Sequence, residues 1–157
     1  MTPAIKLLQR TKTPHRILEY DHAPDADGYG LEAARVLNQA PEQVFKTLLA
    51  QAPSNELIVA MVPVSCLLDL KALAGAANVK KATMADPAYA ERSTGYVVGG
   101  ISPLGQKRRL RAFLDASALA YEEIYVSAGR RGLEIALTPN DLLALAQATS
   151  ASIAKRG

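Results

Sequence analysis

Three observations in the sequence predict a mixed α+β (α/β) single domain, a mixed sheet surrounded by short helices. Helix starts recur, each with an oxygen-bearing cap side chain ahead of an apolar periodic run: Thr2-Pro3, Asp69, Asp86-Pro87 and Thr138-Pro139. Short apolar runs of strand length, such as 44–50 and 57–62, lie between them. No internal repeat and no linker rich in Gly, Pro or Ser divides the 157 residues, so one domain is expected to span 1–157. About six strands interleaving with four or five helices place the sheet under a helical cover.

Taken in order, Thr2 and Pro3 start a helix whose Ile5 and Leu8 share a face, and Pro14 closes that segment. His15 to Tyr20 alternates as a strand. Residues 21–30 hold two glycines, a proline and three aspartates and read as a loop. Leu31, Ala34 and Leu37 mark a helix up to Asn38. Pro41 opens a turn before the strand 44–50, and Pro53-Ser54-Asn55 joins that strand to 57–62 as a hairpin. Asp69 caps a helix over 70–77 that turns Leu70, Leu73 and Ala74 inward. Residues 79–84 form a short basic edge segment, and Asp86-Pro87 starts a helix to about Arg92. Tyr96 to Val98 has strand character. Strands are expected at 110–114, 124–127 and 133–137, the last two joined through Gly129 and Gly132. Thr138-Pro139 caps a helix carrying Leu142, Leu145 and Ala146, and the polar tail from Ser150 is expected to fray.

Apolar residues make up 49% and charged residues 21% of the chain, an ordinary globular balance at a net charge of +3. A single cysteine, Cys66, excludes an internal disulfide and a multi-cysteine metal site, and reads as a packed small hydrophobe. His15 and His22 are not spaced as a helical metal pair, and neither a P-loop, a dinucleotide fingerprint nor HExxH is present, so no metal and no cofactor are expected. No apolar run reaches membrane-spanning length and no N-terminal apolar leader is present, which predicts a soluble, cytoplasmic protein with no membrane partner.

Chemistry is most concentrated at Gly95-Tyr96-Val97-Val98-Gly99-Gly100-Ile101-Ser102-Pro103-Leu104-Gly105. Glycines allow close backbone approach to a ligand, and Pro103 stiffens the turn and holds Ser102 extended. Lys107, Arg108, Arg109 and Arg111 follow directly, with Lys80-Lys81 and Arg130-Arg131 as further basic pairs. Each basic cluster alone is a solvated face; together with the loop they suit a phosphate-bearing partner. Lys46 interrupts an apolar strand, where a charge must either face water or find a partner. It is either a lysine on the solvent face or a cation facing a ligand phosphate or developing oxyanion.

Several segments together resemble one family. They are Thr2-Pro3-Ala4, Phe45-Lys46-Thr47-Leu48, Leu68-Asp69-Leu70-Lys71, Ala85-Asp86-Pro87, the run from Arg92 to Lys107, and Tyr125-Val126-Ser127 through Gly132-Leu133. The family is the YbaK/EbsC group of free-standing aminoacyl-tRNA deacylases, related to the editing domain of bacterial prolyl-tRNA synthetases. The match spans essentially the whole chain. It is closest to the branch that hydrolyses Cys-tRNA(Pro) and also Cys-tRNA(Cys).

The resemblance implies the editing-domain fold, with a pocket for the tRNA 3′ end. It implies that Lys46 is the essential lysine and that Gly99 to Pro103, with Gly100, Ile101 and Ser102 between them, is the ligand loop. Tyr20, Tyr29, Ser127 and Glu134 fall at pocket positions, although Tyr29 stands where phenylalanine is expected and Glu134 where aspartate is. In this branch the substrate's own cysteine thiol attacks the ester, with amides around Gly100 and Ile101 holding the oxyanion, and the chain supplies no general base. Lys107, Arg108 and Arg109 would track the acceptor stem, and prolyl-tRNA synthetase would join a transient ternary complex. A deacylase of another small aminoacyl-tRNA such as Ala-tRNA(Pro), or a noncatalytic tRNA-binding module, are the alternatives.

Overall fold

A computed structural model describes residues 1–21 and 29–157. In chain order the elements are α1 (Pro3–Thr11), β1 (Arg16–Glu19), α2 (Tyr29–Val36), β2 (Phe45–Gln51), β3 (Leu57–Pro63), β4 (Cys66–Leu68), α3 (Leu70–Ala77), β5 (Thr83–Met84) and α4 (Pro87–Thr94). There follow β6 (Arg111–Asp115), β7 (Ile124–Arg130), β8 (Leu133–Leu137), α5 (Pro139–Ala146), β9 (Ala148–Ala151) and β10 (Ala154–Arg156). Short 3-10 turns precede β2 and follow β6. His22 and most of the loop expected at 21–30 lie outside the described residues.

The helix starts follow their caps. Thr2 accepts from the Ile5 amide, Asp69 from Ala72, Asp86 from Tyr89 and Thr138 from Asp141. Left-handed residues end them: Lys12, Asn78, Gly95 and Gln147. The largest sheet runs β5-β2-β3-β6-β9; β2 is antiparallel to β3 and β5, whereas β3, β6 and β9 are parallel. The expected hairpin is present, pairing Phe45 with Pro63 through to Gln51 with Leu57. Every residue of β3 is buried, as a strand covered on both faces requires. Leu57, Val59 and Met61 join Leu8, Leu104, Val126 and Ile135 on one face; Ile58, Ala60 and Val62 join Leu73 and Phe113 on the other. A second, antiparallel sheet, β1-β8-β7, packs beside the first, and Val44 bridges to Tyr125 between them.

Three expectations differ. Tyr96 to Val98 is not a strand: Val97 and Val98 are exposed, and the Val98 amide donates to the Glu91 carboxylate at 2.8 Å. The β-branched pair has no neighbouring strand to pair with, so its propensity goes unused. On α2, Ala33 and Ala34 are buried while Leu31 is exposed. The tail does not fray. β9 extends the large sheet beside β6, and β10 pairs with β4. Asp115 anchors the turn between them, one carboxylate oxygen accepting from the Ile153 and Ala154 amides, both at 2.9 Å.

The loop 95–105 is clamped by contacts in which only glycine fits. A Cβ on Gly100 would stand 2.8 Å from the Arg130 Cα and 2.9 Å from the Arg131 nitrogen. One on Gly129 would meet the Tyr96 ring at 2.7 Å, and one on Gly105 the Pro3 carbonyl at 2.7 Å. Ser127 closes the contact, its hydroxyl donating to the Gly100 carbonyl and accepting from the Gly129 amide, both at 3.1 Å. A register shift in β7 between Ser127 and Arg130 turns the strand toward the loop there. Because the obstruction at Gly100 is backbone, Gly100→Ala is expected to lose about 1–3 kcal/mol. Urea unfolding checks this, and an unchanged midpoint would refute the clamp.

Candidate active site

β5 pairs with β2 only at Ala50 and Gln51, and the Ala85 amide donates to the Leu49 carbonyl at 3.0 Å. The remainder of that edge of β2 forms one wall of a cavity of about 500 Å³. Alternation puts Phe45, Thr47 and Leu49 on one face of β2 and Lys46 and Leu48 on the other, and the cavity wraps the edge to reach both sets. α4 supplies Pro87 and Ala90, the glycine loop supplies Val98, Gly99 and Ile101, and the β1-β8-β7 sheet supplies Ser127, Arg131 and Glu134, with Tyr20 just after β1.

The fold therefore gathers Tyr20, Lys46, Gly99, Ile101, Ser127 and Glu134 around one space. Gly100, Ser102 and Pro103 do not line it. The Gly100 amide donates to the Val97 carbonyl at 2.9 Å, so the donor expected to face a ligand closes the loop's own turn. Gly100 instead permits the close approach described above. Ser102 is wholly buried, its hydroxyl accepting from the Leu104 amide at 3.2 Å. Among the described residues, the amides of Gly99 and Ile101 have no hydrogen-bond partner. Tyr29 opens α2, and its side chain lies outside the described part of the structure. Lys107, Arg108 and Arg109 are exposed and outside the cavity; the Lys107 and Arg108 amides bond the Thr94 and Ser93 carbonyls at the end of α4.

The polar groups in the wall differ sharply in setting. Lys46 is half-buried, and desolvation lowers its pKa. Glu134 is 7% exposed, and burial pushes its pKa up to about 8, so it is largely protonated at neutral pH. The Tyr20 phenol is pushed up to about 12, by burial first and then by Glu134 and Glu32. Ser127 stands opposite Glu134 across the β7–β8 pair.

Two wall residues do not stand out in the sequence as site residues. The Thr47 hydroxyl is buried and has no partner among the described residues, an orphan polar atom in a cavity wall. The apolar strand pattern around it disguises it. Arg131 reads in the sequence only as half of a basic pair. It ion-pairs with the buried Glu32 at 3.1 Å and so ties the β7–β8 turn to α2, while Arg130 pairs with Glu19 at 2.6 Å. Both partners lie far away in sequence. No group of three or more His, Cys, Asp or Glu among the described residues is placed to hold a metal ion.

Residues 23–145 match the family described as the aminoacyl-tRNA editing domain. The chain belongs to that family. It is also 36% identical over 153 residues to a protein of Enterococcus faecalis that carries the name Cys-tRNA(Pro)/Cys-tRNA(Cys) deacylase EbsC, covering 97% of this chain and 92% of the relative. Among solved structures, one titled as a trans-editing enzyme for prolyl tRNA synthetase superposes with a TM-score of 0.84 at 24% identity, covering 99% of both chains. A crystal structure of a hypothetical protein superposes with a TM-score of 0.87 at 19% identity, covering 98% of this chain and 100% of that one. These two likenesses establish that the editing-domain fold is shared.

Two outcomes follow for folding. A carboxyl with a folded pKa of about 8 and an unfolded value of about 4.3 binds an extra proton in the folded state between those limits. Its contribution to stability is fully present below the unfolded value and is lost as pH rises through about 8. Glu134→Gln is expected to remove this slope and to be the more stable protein above pH ~8, by on the order of a few kcal/mol. Urea midpoints from about pH 5 to 9 check it, and parallel slopes for both proteins would refute it. Thr47→Val removes an unsatisfied hydroxyl without changing shape, so its urea midpoint should be unchanged or higher, by up to about 1–2 kcal/mol; a clear loss would mean the hydroxyl is satisfied in solution.

Proposed function

We propose that this editing domain is a trans-acting deacylase of Cys-tRNA(Pro), and also of Cys-tRNA(Cys), working in the cytoplasm where charged tRNA is found. The observation that carries the reading is the cavity wall. It is lined by a half-buried lysine, a neutral acid, an orphan hydroxyl and two loop residues, Gly99 and Ile101, whose amides have no partner among the described residues, a set suited to positioning rather than to nucleophilic attack. The near full-length relation to a protein named for cysteinyl-tRNA deacylation supports the choice of amino acid. A cavity of about 500 Å³ is of the size that small ligands occupy, and an aminoacyl group with part of its adenosine suits it.

An aminoacyl ester is already activated, so the protein need only orient it and stabilise charge. In the proposed reaction the substrate thiol attacks its own ester carbonyl. A C–S bond forms, the C–O bond to the terminal ribose breaks, and the thiol proton ends on the ribose oxygen. The product is a four-membered thiolactone, which water opens afterwards. The Gly99 and Ile101 amides face the developing oxyanion, where loss of one donor typically costs about 10²–10³ in rate. Lys46 holds the tRNA end by its ribose or phosphate. The Thr47 hydroxyl gains a partner when the aminoacyl group enters. Lys107, Arg108 and Arg109 meet the acceptor stem from outside the cavity, and prolyl-tRNA synthetase would supply mischarged tRNA in a transient ternary complex.

The test is deacylation of Cys-, Ser- and Ala-tRNA(Pro) by wild type, Lys46→Ala and Thr47→Val. Cys-tRNA(Pro) should be cleaved fastest, Lys46→Ala should lose at least about 10²-fold, and Thr47→Val should be slower while remaining folded. Equal rates on the serine and cysteine esters would remove the thiol-assisted step. Preference for Ala-tRNA(Pro) would move the domain to an alanine-editing role, and silence on all three esters would leave a noncatalytic tRNA-binding module.

A further inference from the structure

A second groove, of about 700 Å³, adjoins the cavity and shares Met84, Ala85 and Pro87 with it. Its walls are the end of β2 with Gln51, the β2–β3 turn with Asn55, and the approach to β5, where the antiparallel register puts Lys81 beyond Met84 as seen from the cavity. The walls are held in place. The Tyr89 hydroxyl donates to the Asn55 carbonyl at 2.8 Å, and the Gln51 amide donates to the Asn55 side-chain oxygen at 3.0 Å. Asp86 also lines the groove, and one of its carboxylate oxygens is taken up by the Tyr89 amide at 3.0 Å in capping α4. Met84, half exposed on the short edge strand, forms the apolar ridge between the two spaces. Lys80 and Lys81 are exposed and make no ion pair among the described residues.

A polymer whose last residue fills the cavity must leave it by an open side. The groove is continuous with the cavity wall at the start of α4, whereas Lys107, Arg108 and Arg109 sit at the opposite end of that helix, about 12 Å along its axis. The groove combines an apolar ridge, side-chain amides and unpaired ammonium groups, which suits a base on one side and a phosphate on the other.

Resting on the deacylase reading above, we infer that this groove receives the nucleotide preceding the terminal adenosine of the single-stranded tRNA 3′ end, with its base against Met84 and its own 5′ phosphate, farther from the cavity, at Lys81 and Lys80. Lys81 and Lys80 are then positioning residues for the strand and take no part in the ester chemistry.

The experiment compares wild type, Lys80→Ala/Lys81→Ala and Lys81→Arg on Cys-tRNA(Pro) and on cysteinyl-adenosine, which carries no phosphate. The double variant is expected to raise KM for the tRNA about 5–20-fold with kcat unchanged. It should flatten the dependence of log KM on log salt by about 0.7 for each phosphate that the lysines no longer neutralise. Lys81→Arg should retain the wild-type KM, and all three proteins should cleave cysteinyl-adenosine alike. An unchanged KM and salt slope for the tRNA, or an equal loss on cysteinyl-adenosine, would overturn the groove assignment while leaving the deacylase reading intact. A wild type silent on both esters would overturn the deacylase reading, and the groove assignment with it.

Discussion

The cavity exists because two backbones meet at Gly100. The glycine loop lies against the β7–β8 turn with no side chain between them, and the Ser127 hydroxyl bonds both, to the Gly100 carbonyl and from the Gly129 amide. The same contact places Val98, Gly99 and Ile101 in one cavity wall with β2, and the Gly99 and Ile101 amides have no partner among the described residues. Around it, Gly129 takes the Tyr96 ring and Gly105 takes the start of α1, while the Tyr96 hydroxyl donates to the Leu104 carbonyl at 2.7 Å. The loop is thus rigid from several directions. A site that accelerates a reaction by placement needs that rigidity, because reorganising donors during the reaction would forfeit their benefit.

The electrostatics of the wall follow from how far each group is taken from water. Glu134 sits near the start of β8, flanked by buried Leu133 and Ile135, and keeps its proton because no solvent supports the charge. Lys46 lies near the end of the uncovered edge of β2 and keeps partial access to water, and burial lowers its pKa with no ion-pair partner among the described residues. The charge in this region that is fully paired is structural: Arg131 to Glu32, joining the β7–β8 turn to α2. Glu134 and Lys46 line the same cavity.

Helix starts are readable in the sequence because they are decided within four residues: the cap oxygens of Thr2, Asp69, Asp86 and Thr138 reach amides that follow them at once. The β2–β3 hairpin is readable for the same reason, its turn lying between two apolar runs. The tail misleads because its order is borrowed: β9 rests on β6 and the Ile153 amide on Asp115, 38 residues earlier. Tyr96 to Val98 misleads in the opposite sense, since strand propensity has no effect where no strand lies alongside.

At the site, the residue types are legible in the chain: a lysine in an apolar strand, a glycine-rich turn stiffened by proline, and a serine and a glutamate on neighbouring strands. Those features are local, and so is the family resemblance they carry. The state of each polar group in the wall comes from long-range packing. It turned the Gly100 amide inward to Val97, left those of Gly99 and Ile101 unpartnered, stranded the Thr47 hydroxyl, and held the Glu134 proton. Each of these depends on what lies across from the residue rather than beside it in sequence, and burial and hydrogen-bond partnership are properties of that opposing surface.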